Sequence, residues 1–397
     1  MEKELSLQKI EQAQKILKEK NIDLWMTFVR ESSYIHDPAL DIILGTNVTW
    51  QSAFMIPAEG ETTAIIGSLE IPLITGTGLY KNVSGYLKSI KEPLLEYLYQ
   101  LNPQCIAINV SKNSVLADGM PHGLYLNLLD HLDRTPYKEL LISSEEIILA
   151  LRSRKSEKEL EIMKKAVKET LLIFDEVTNF MKPGKTEIEV AEFIRSKVSE
   201  RGFSYAWDEE SCPAVFTGPN SAGAHAGPTN RVIEKGHLVN IDFGIKLNGY
   251  CSDLQRTWYI LKDDENDAPG DVKKGYAVLH QSIREAASIM KPGITGVEVD
   301  SAARNYITSN GYEEYKHGLG HQIGRVAHDA GPGLFPNWER YGTLPYIPLE
   351  AGQVFTIEPR LYVENHGIVT IEEEVVLREN GIEYLSNPQM ELYLIRE

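Results

Sequence analysis

The sequence predicts two domains: a compact α/β domain, then a larger one built from two related halves around a shared centre. Three observations carry this. The chain has 397 residues, more than one hydrophobic core usually organises and enough for two sizeable cores. Residues 1 to about 140 alternate helix-like with strand-like runs. The remainder contains a repeat.

In chain order, MEKELSLQKIEQAQKILKEKNIDLW spaces apolar residues among charges at helical intervals and has no continuous apolar core of the kind that directs export. Strand-like runs follow: LWMTFV at 24–29, AFMIPA at 53–58, TTAIIG at 62–67 and CIAINV at 105–110. Ser156 with Glu159 forms a capping box that opens a helix, with Leu160, Met163, Val167, Leu171, Phe174 and Val177 on one stripe. Pro183 and Gly184 end it. The domain boundary belongs just before this helix, near residues 140–150.

The repeat lies in the second domain. MKPGKTEIEV at 181–190 returns as MKPGITGVEV at 290–299, each preceded by a helical run with a Lys-Lys pair. KGHLVNID at 235–242 returns as AGQVFTIE at 351–358, with a Gly six residues before an acidic residue each time. Two copies are too few for a solenoid. They suit one domain with pseudo-twofold symmetry, in which each half brings an acidic strand to a common site.

Composition narrows the function. The net charge of −17 repels phosphate backbones and anionic lipid, so nucleic acid and membrane surfaces are not expected partners. No apolar stretch approaches the roughly 20 residues that span a bilayer. Cys105, Cys212 and Cys251 are odd in number and widely spaced, which gives neither a disulfide framework nor a zinc knuckle and favours the cytoplasm.

The acidic residues point to chemistry. In DFGIKLNGYCSD, Asp242 and Asp253 flank Asn248-Gly249, a strong hairpin signal. Pairing sets either 242 or 244 opposite 253, and both registers put the two aspartates on one face. Carboxylates held that close repel unless a cation joins them. EPRLYVENHGIVTIEEE repeats the device around a three-residue turn, Asn365-His366-Gly367. Glu358 then shares a face with Glu372 and Glu374, while Glu373 points away. Alone, 372–374 would read as a solvated acidic edge; its place in a repeated acidic hairpin argues for a site. His321 in HGLGHQIGRVAHD, with His317 and His328 nearby, supplies the natural nitrogen ligand. Oxygen-rich sets with one imidazole suit Mn²⁺, Co²⁺, Fe²⁺ or Zn²⁺, and several carboxylates suit two ions sharing bridges.

These residues resemble the pita-bread metallopeptidases, the group of methionine aminopeptidase, aminopeptidase P and prolidase, in order from about residue 145 onward. The resemblance implies an α/β creatinase-like N-terminal domain over 1–145 and a catalytic α+β pita-bread domain over 146–397. Its ligand motifs are DxG, GYxSD, HGxGH, TIEP and the Glu after Ile in the last strand. They fall on Asp242, Asp253, His321, Glu358 and Glu372, choosing Glu372 over Glu374. It further implies two divalent ions, Mn²⁺ first with Co²⁺, Zn²⁺ or Fe²⁺ as alternatives, and Xaa-Pro aminopeptidase or dipeptidase activity. A metal-bridging hydroxide would attack a small peptide with Glu358 as general base. His225, in FTGPNSAGAHAGPT, and His328 would contact substrate and steady the oxyanion. A homodimer is implied, with a loop of the neighbouring subunit reaching the pocket; His36-Asp37 is the candidate for that loop.

Three positions depart from the family pattern. Arg360 follows Pro359 where Gly is usual, Gln255 stands for Thr, and Thr370 stands for an Arg that can grip a substrate carboxylate through a bidentate fork. Arg360, on the strand face of Glu358, is the candidate replacement. The competing readings are a non-peptidase lyase or hydrolase using the same cage on a small molecule, and a non-catalytic binding member of the fold.

Overall fold

A computed structural model describes residues 2–221, 227–329 and 331–396. The chain divides into two compact units, Met1–Arg152 and Ser153–Glu397. Among the described residues no helix is long and apolar enough to cross a membrane.

The first unit is built on a six-stranded sheet. Its strands are β1 (Leu24–Val29), β2 (Ser52–Pro57), β3 (Thr63–Gly67), β4 (Asn82–Tyr86), β5 (Ile106–Ile108) and β6 (Leu141–Ser143), in the order β4-β3-β2-β1-β5-β6. Side chains alternate across this sheet, and both faces are covered. On β1, Leu24, Met26 and Phe28 enter one core with Met55 and Ile108; Trp25 and Val29 enter the other with Phe54 and Ala107. Hence β1 reads as an apolar run interrupted only by Thr27.

In the second unit the sequence repeat is a structural repeat. The helices Glu157–Phe180 and Glu187–Glu200 correspond to Gly270–Ile289 and Gly296–Ser309. Ser156 caps the first of these with Glu159 through the expected reciprocal bonds. Thr186 with Glu189, and Thr295 with Glu298, make equivalent capping boxes on the second helix of each pair. The turn before each box takes a left-handed glycine, Gly184 (φ 88) and Gly293 (φ 91), a conformation that costs glycine least. Gly184 N–H then donates to Ile233 O at 2.9 Å, and Gly293 N–H to Leu349 O at 2.8 Å.

The strands of the second unit are β7 (Ser204–Tyr205), β8 (Ala214–Thr217), β9 (Leu238–Phe243), β10 (Ile245–Leu247), β11 (Tyr250–Cys251), β12 (Leu254–Ile260), β13 (Val354–Ile357), β14 (Arg360–Val363), β15 (Gly367–Thr370), β16 (Glu373–Arg378), β17 (Gly381–Tyr384) and β18 (Tyr393–Ile395). They form sheets β18-β12-β9-β8, β11-β10-β7, β13-β16-β17 and β14-β15. A core running from Leu238 and Tyr259 through Leu279, Val299 and Phe355 to Leu377 joins both halves under these sheets. This α/β unit followed by a twofold α+β unit is the fold class expected.

Candidate metal centre

Each half delivers its acids on a hairpin. In the first, Asn248 (φ 49) and Gly249 (φ 81) make the two-residue turn, and Leu247 pairs with Tyr250. Leu254 pairs with Phe243 and Gln255 with Asp242, which selects the register with 244 opposite 253. Gly244 explains the choice: a Cβ there would stand 1.8 Å from Ser252 O, so the crossing admits no side chain. Asp242 and Asp253 lie diagonally on one face.

In the second hairpin one register runs throughout. Ile357 pairs with Glu373 and Arg360 with Thr370, so Glu358 and Glu372 face each other where the ladder opens. The turn lies one residue earlier than expected. Glu364, Asn365 and His366 form the loop, Asn365 takes the left-handed backbone (φ 63), and Gly367 already pairs with Val363. Asn is among the non-glycine residues that tolerate this conformation.

Where the second ladder opens, it joins the first: Glu372 N–H donates to Gln255 O at 3.1 Å. The HGLGH segment closes on the other side. Glu358 N–H donates to Leu319 O at 2.7 Å, and Thr356 N–H to His321 O at 2.9 Å. Gly320 permits this approach, since a Cβ there would meet Thr356 O at 1.9 Å. Asp300 holds the same segment from beneath, accepting from Leu319 N–H at 3.0 Å and pairing with Arg304 at 2.7 Å.

The predicted residues converge as a result. Ligand atoms of Asp253, His321 and Glu372 lie within 4.8 Å of one another. His321 Nε2 is 3.7 Å from Asp253 Oδ2 and 3.4 Å from Glu358 Oε1. His321 Nδ1 contacts Gln322 O at 3.2 Å. A carbonyl only accepts, so Nδ1 carries a proton, and Nε2 is the ring atom turned toward the acids.

The electrostatics ask for positive charge. Burial pushes Asp242 up to about 7. Burial and the Asp242 charge push Glu358 up to about 8. Asp253 and Glu372 are held well above the usual carboxylate range, first by burial and then by the acids around them. Asp242 Oδ1 and Glu372 Oε1 are buried without a hydrogen-bond partner, a costly state that a cation would relieve. Four carboxylates and one imidazole, with vacant buried oxygens, fit divalent ions.

Glu374, which parity left open, accepts a hydrogen bond from Asp253 N–H at 2.8 Å and so supports a cage residue from behind. Glu373 points away, toward the fully buried Arg256 at 3.0 Å. Gln255 was legible only as a departure, yet its Nε2 reaches Glu358 Oε2 at 3.1 Å and Glu372 Oε2 at 2.9 Å. Its Oε1 accepts from the Thr370 hydroxyl at 2.8 Å. His328 stands beside the cage, its ring centre 4.2 Å from that of His321. His225 lies outside the described residues. In the first unit Asp37 is fully buried and bonded to Ala39 N–H and Asn109, so it does not project outward as proposed for the His36-Asp37 loop. His36 is exposed, 3.1 Å from Asp41.

A sequence profile of metallopeptidase family M24 matches residues 161–379, which span both hairpins, the histidine segment and more than half of the chain. The chain belongs to metallopeptidase family M24. An Xaa-Pro dipeptidase of Pyrococcus horikoshii is 31% identical to this M24 chain over 292 residues, 72% of this chain and 76% of that one. The dipeptidase PepE of Mycobacterium ulcerans superposes with a TM-score of 0.75 at 25% identity, covering 100% of both chains. An X-Pro aminopeptidase of Thermotoga maritima gives 0.71 at 25% identity, covering 97% of this chain and 99% of that one. As an M24 member with pita-bread neighbours along its full length, the chain is a metallopeptidase that works on peptides with divalent metal.

Proposed function

We propose that this M24 enzyme hydrolyses the bond between an N-terminal residue and proline in short peptides. Asp242, Asp253, His321, Glu358 and Glu372 hold two divalent ions in this reading. The observation that carries it is the convergence of Asp253, His321 and Glu372 with Glu358 3.4 Å from His321 and Asp242 on the face of Asp253, the buried oxygens of Asp242 and Glu372 lacking protein partners. The relatives named Xaa-Pro dipeptidase and X-Pro aminopeptidase supply the preference for proline.

When bound, the ions supply Lewis-acid polarisation of the scissile carbonyl and a nucleophile at neutral pH. The side chains do the rest. Glu358, whose Oε2 is steadied by Gln255 Nε2 at 3.1 Å, takes the proton of the attacking water and returns it to the departing proline nitrogen. His321, oriented by donation from Nδ1 to Gln322 O, turns Nε2 toward the acids as the nitrogen that would hold metal. His328, beside His321, and His225 donate to the charge that grows on the carbonyl oxygen. Residues 1–145 are assigned as the creatinase/prolidase-type domain and 146–397 as the catalytic domain, since every cage residue lies in the latter. Mn²⁺ as the ion and a homodimer follow from the family resemblance, and a cytoplasmic site of action from the spacing of Cys105, Cys212 and Cys251.

Metal analysis and a peptide panel test the reading. Purified protein should bind about two ions of Mn²⁺, Co²⁺, Fe²⁺ or Zn²⁺ per chain and cleave Xaa-Pro peptides when loaded. A chain that binds none, or that loads fully and cleaves no proline peptide, overturns it.

A further inference from the structure

Arg360 stands directly opposite Thr370 across β14 and β15, two positions beyond the facing Glu358 and Glu372. Its side chain is half-buried, and its charged neighbour is Glu358. Among the described residues, no hydrogen bond or ion pair engages its guanidinium. Its five N–H donors have no acceptor among the described residues and are not sealed from water, so they stay open to an arriving acceptor. Orienting the cage does not require them. Gln255 already donates to Glu358 and Glu372 and is itself fixed by the Thr370 hydroxyl. With a carboxamide spanning the acids and only a short Thr at 370, the guanidinium on the opposite strand is left to serve an acceptor that arrives from outside.

We propose that Arg360 receives the free C-terminal carboxylate of a dipeptide and thereby makes this enzyme a dipeptidase. The proposal rests on the metallopeptidase reading above. A guanidinium fork matches a carboxylate bidentately. Arg360 follows Glu358 by two residues on an extended segment, which places it roughly 6 to 7 Å along the chain from the group that handles the proton. In a dipeptide the carboxylate is one residue from the scissile carbonyl, within reach of an arginine rooted there. Each further residue carries it away by about 3.5 Å, well outside the tolerance of hydrogen-bond geometry. Longer peptides would present a neutral amide to the same guanidinium and lose the charge-assisted pair.

The test compares an Xaa-Pro dipeptide, its C-terminal amide and the Xaa-Pro-Xaa tripeptide on metal-loaded wild type and on Arg360→Gln. Wild type should favour the free acid in kcat/KM by about 10- to 100-fold, the scale of a charge-assisted hydrogen bond. Arg360→Gln should erase that preference, mainly by raising KM for the acid, with a much smaller effect on the amide. Binding is read separately: L-proline should raise the melting temperature of wild type more than L-prolinamide does, and Arg360→Gln should remove the difference. Wild type that cleaves amide or tripeptide as well as the acid, or a variant that keeps the acid preference, overturns the proposal. If loaded wild type cleaves none of the three, the peptidase reading fails. The carboxylate site is then judged by the proline and prolinamide shifts alone, and equal shifts overturn it.

Discussion

Lys155 Nζ lies 3.4 Å from Asp329 Oδ2, and both side chains are 1% exposed. This ion pair ties the segment before the long helix Glu157–Phe180 to the loop that carries His328. The same Asp329 oxygen accepts from Arg325 N–H at 3.3 Å, and Asp329 N–H donates to Gln322 O at 2.8 Å.

Removing one member of a buried pair strands the other, at a cost of about 3 to 5 kcal/mol. Lys155→Met should therefore lower the denaturant midpoint by that free energy and reduce kcat as the His328 loop loosens. A variant as stable and active as wild type would show that the pair is dispensable.

Gln255→Leu keeps the side-chain bulk and deletes the carboxamide. The Glu358 and Glu372 oxygens lose their shared donor, and loss of an outer partner of this kind weakens metal binding by about 10- to 100-fold. Titration with Mn²⁺ against a competing chelator measures it, and unchanged affinity would refute the role.

Gly320→Ala places a methyl where Thr356 O stands 1.9 Å away. The strand must yield, and the His321 backbone, bonded to Thr356 on both its N–H and its C=O, moves with it. Expected is loss of most activity with a destabilisation of about 1 to 3 kcal/mol. Gly184→Ala, with no atom within 4 Å of its Cβ, should leave metal affinity untouched and cost only the strain of a left-handed alanine.

The raised carboxyls set a pH signature for metal-free protein. Asp242 sits near 7 and Glu358 and Glu374 near 8, whereas unfolded carboxyls titrate near 4. Between those limits the folded state binds more protons, so stability is fully present below about pH 4 and is lost as pH rises through 8. Metal requires the deprotonated groups, so its affinity runs the opposite way and protons are released on loading. Thermal melts of metal-free protein from pH 5 to 8 should fall steadily, and calorimetry of Mn²⁺ binding in two buffers should report protons released. A flat melting profile would contradict the assignment.

Legibility in the sequence followed the range of the interactions. Thr186 with Glu189, Thr295 with Glu298 and Asn248-Gly249 are signals spanning a few residues, and the capped helices and first hairpin formed where they stand. Parity placed the acids on common faces because a strand alternates with period two. Choosing between the two registers required the Gly244 crossing, which depends on Ser252 once folded. Gln255 stood out only as a departure, and its role was illegible because its partners are 103 and 117 residues away. Nothing local distinguishes a glutamine that spans two carboxylates from one that merely replaces threonine. Asp37 was misjudged for the same reason, since its burial is set by Asn109, 72 residues on.

Because the halves share one centre, the cage closes late in the life of each molecule. Asp242 and Asp253 leave the ribosome well before Glu358 and Glu372 have been made, and two lone aspartates hold a divalent ion poorly. The first half alone therefore brings only Asp242 and Asp253, and the cage is complete only when the second hairpin docks. A chain cut short of β13 lacks Glu358 and Glu372, so it should bind divalent metal far more weakly than the full chain.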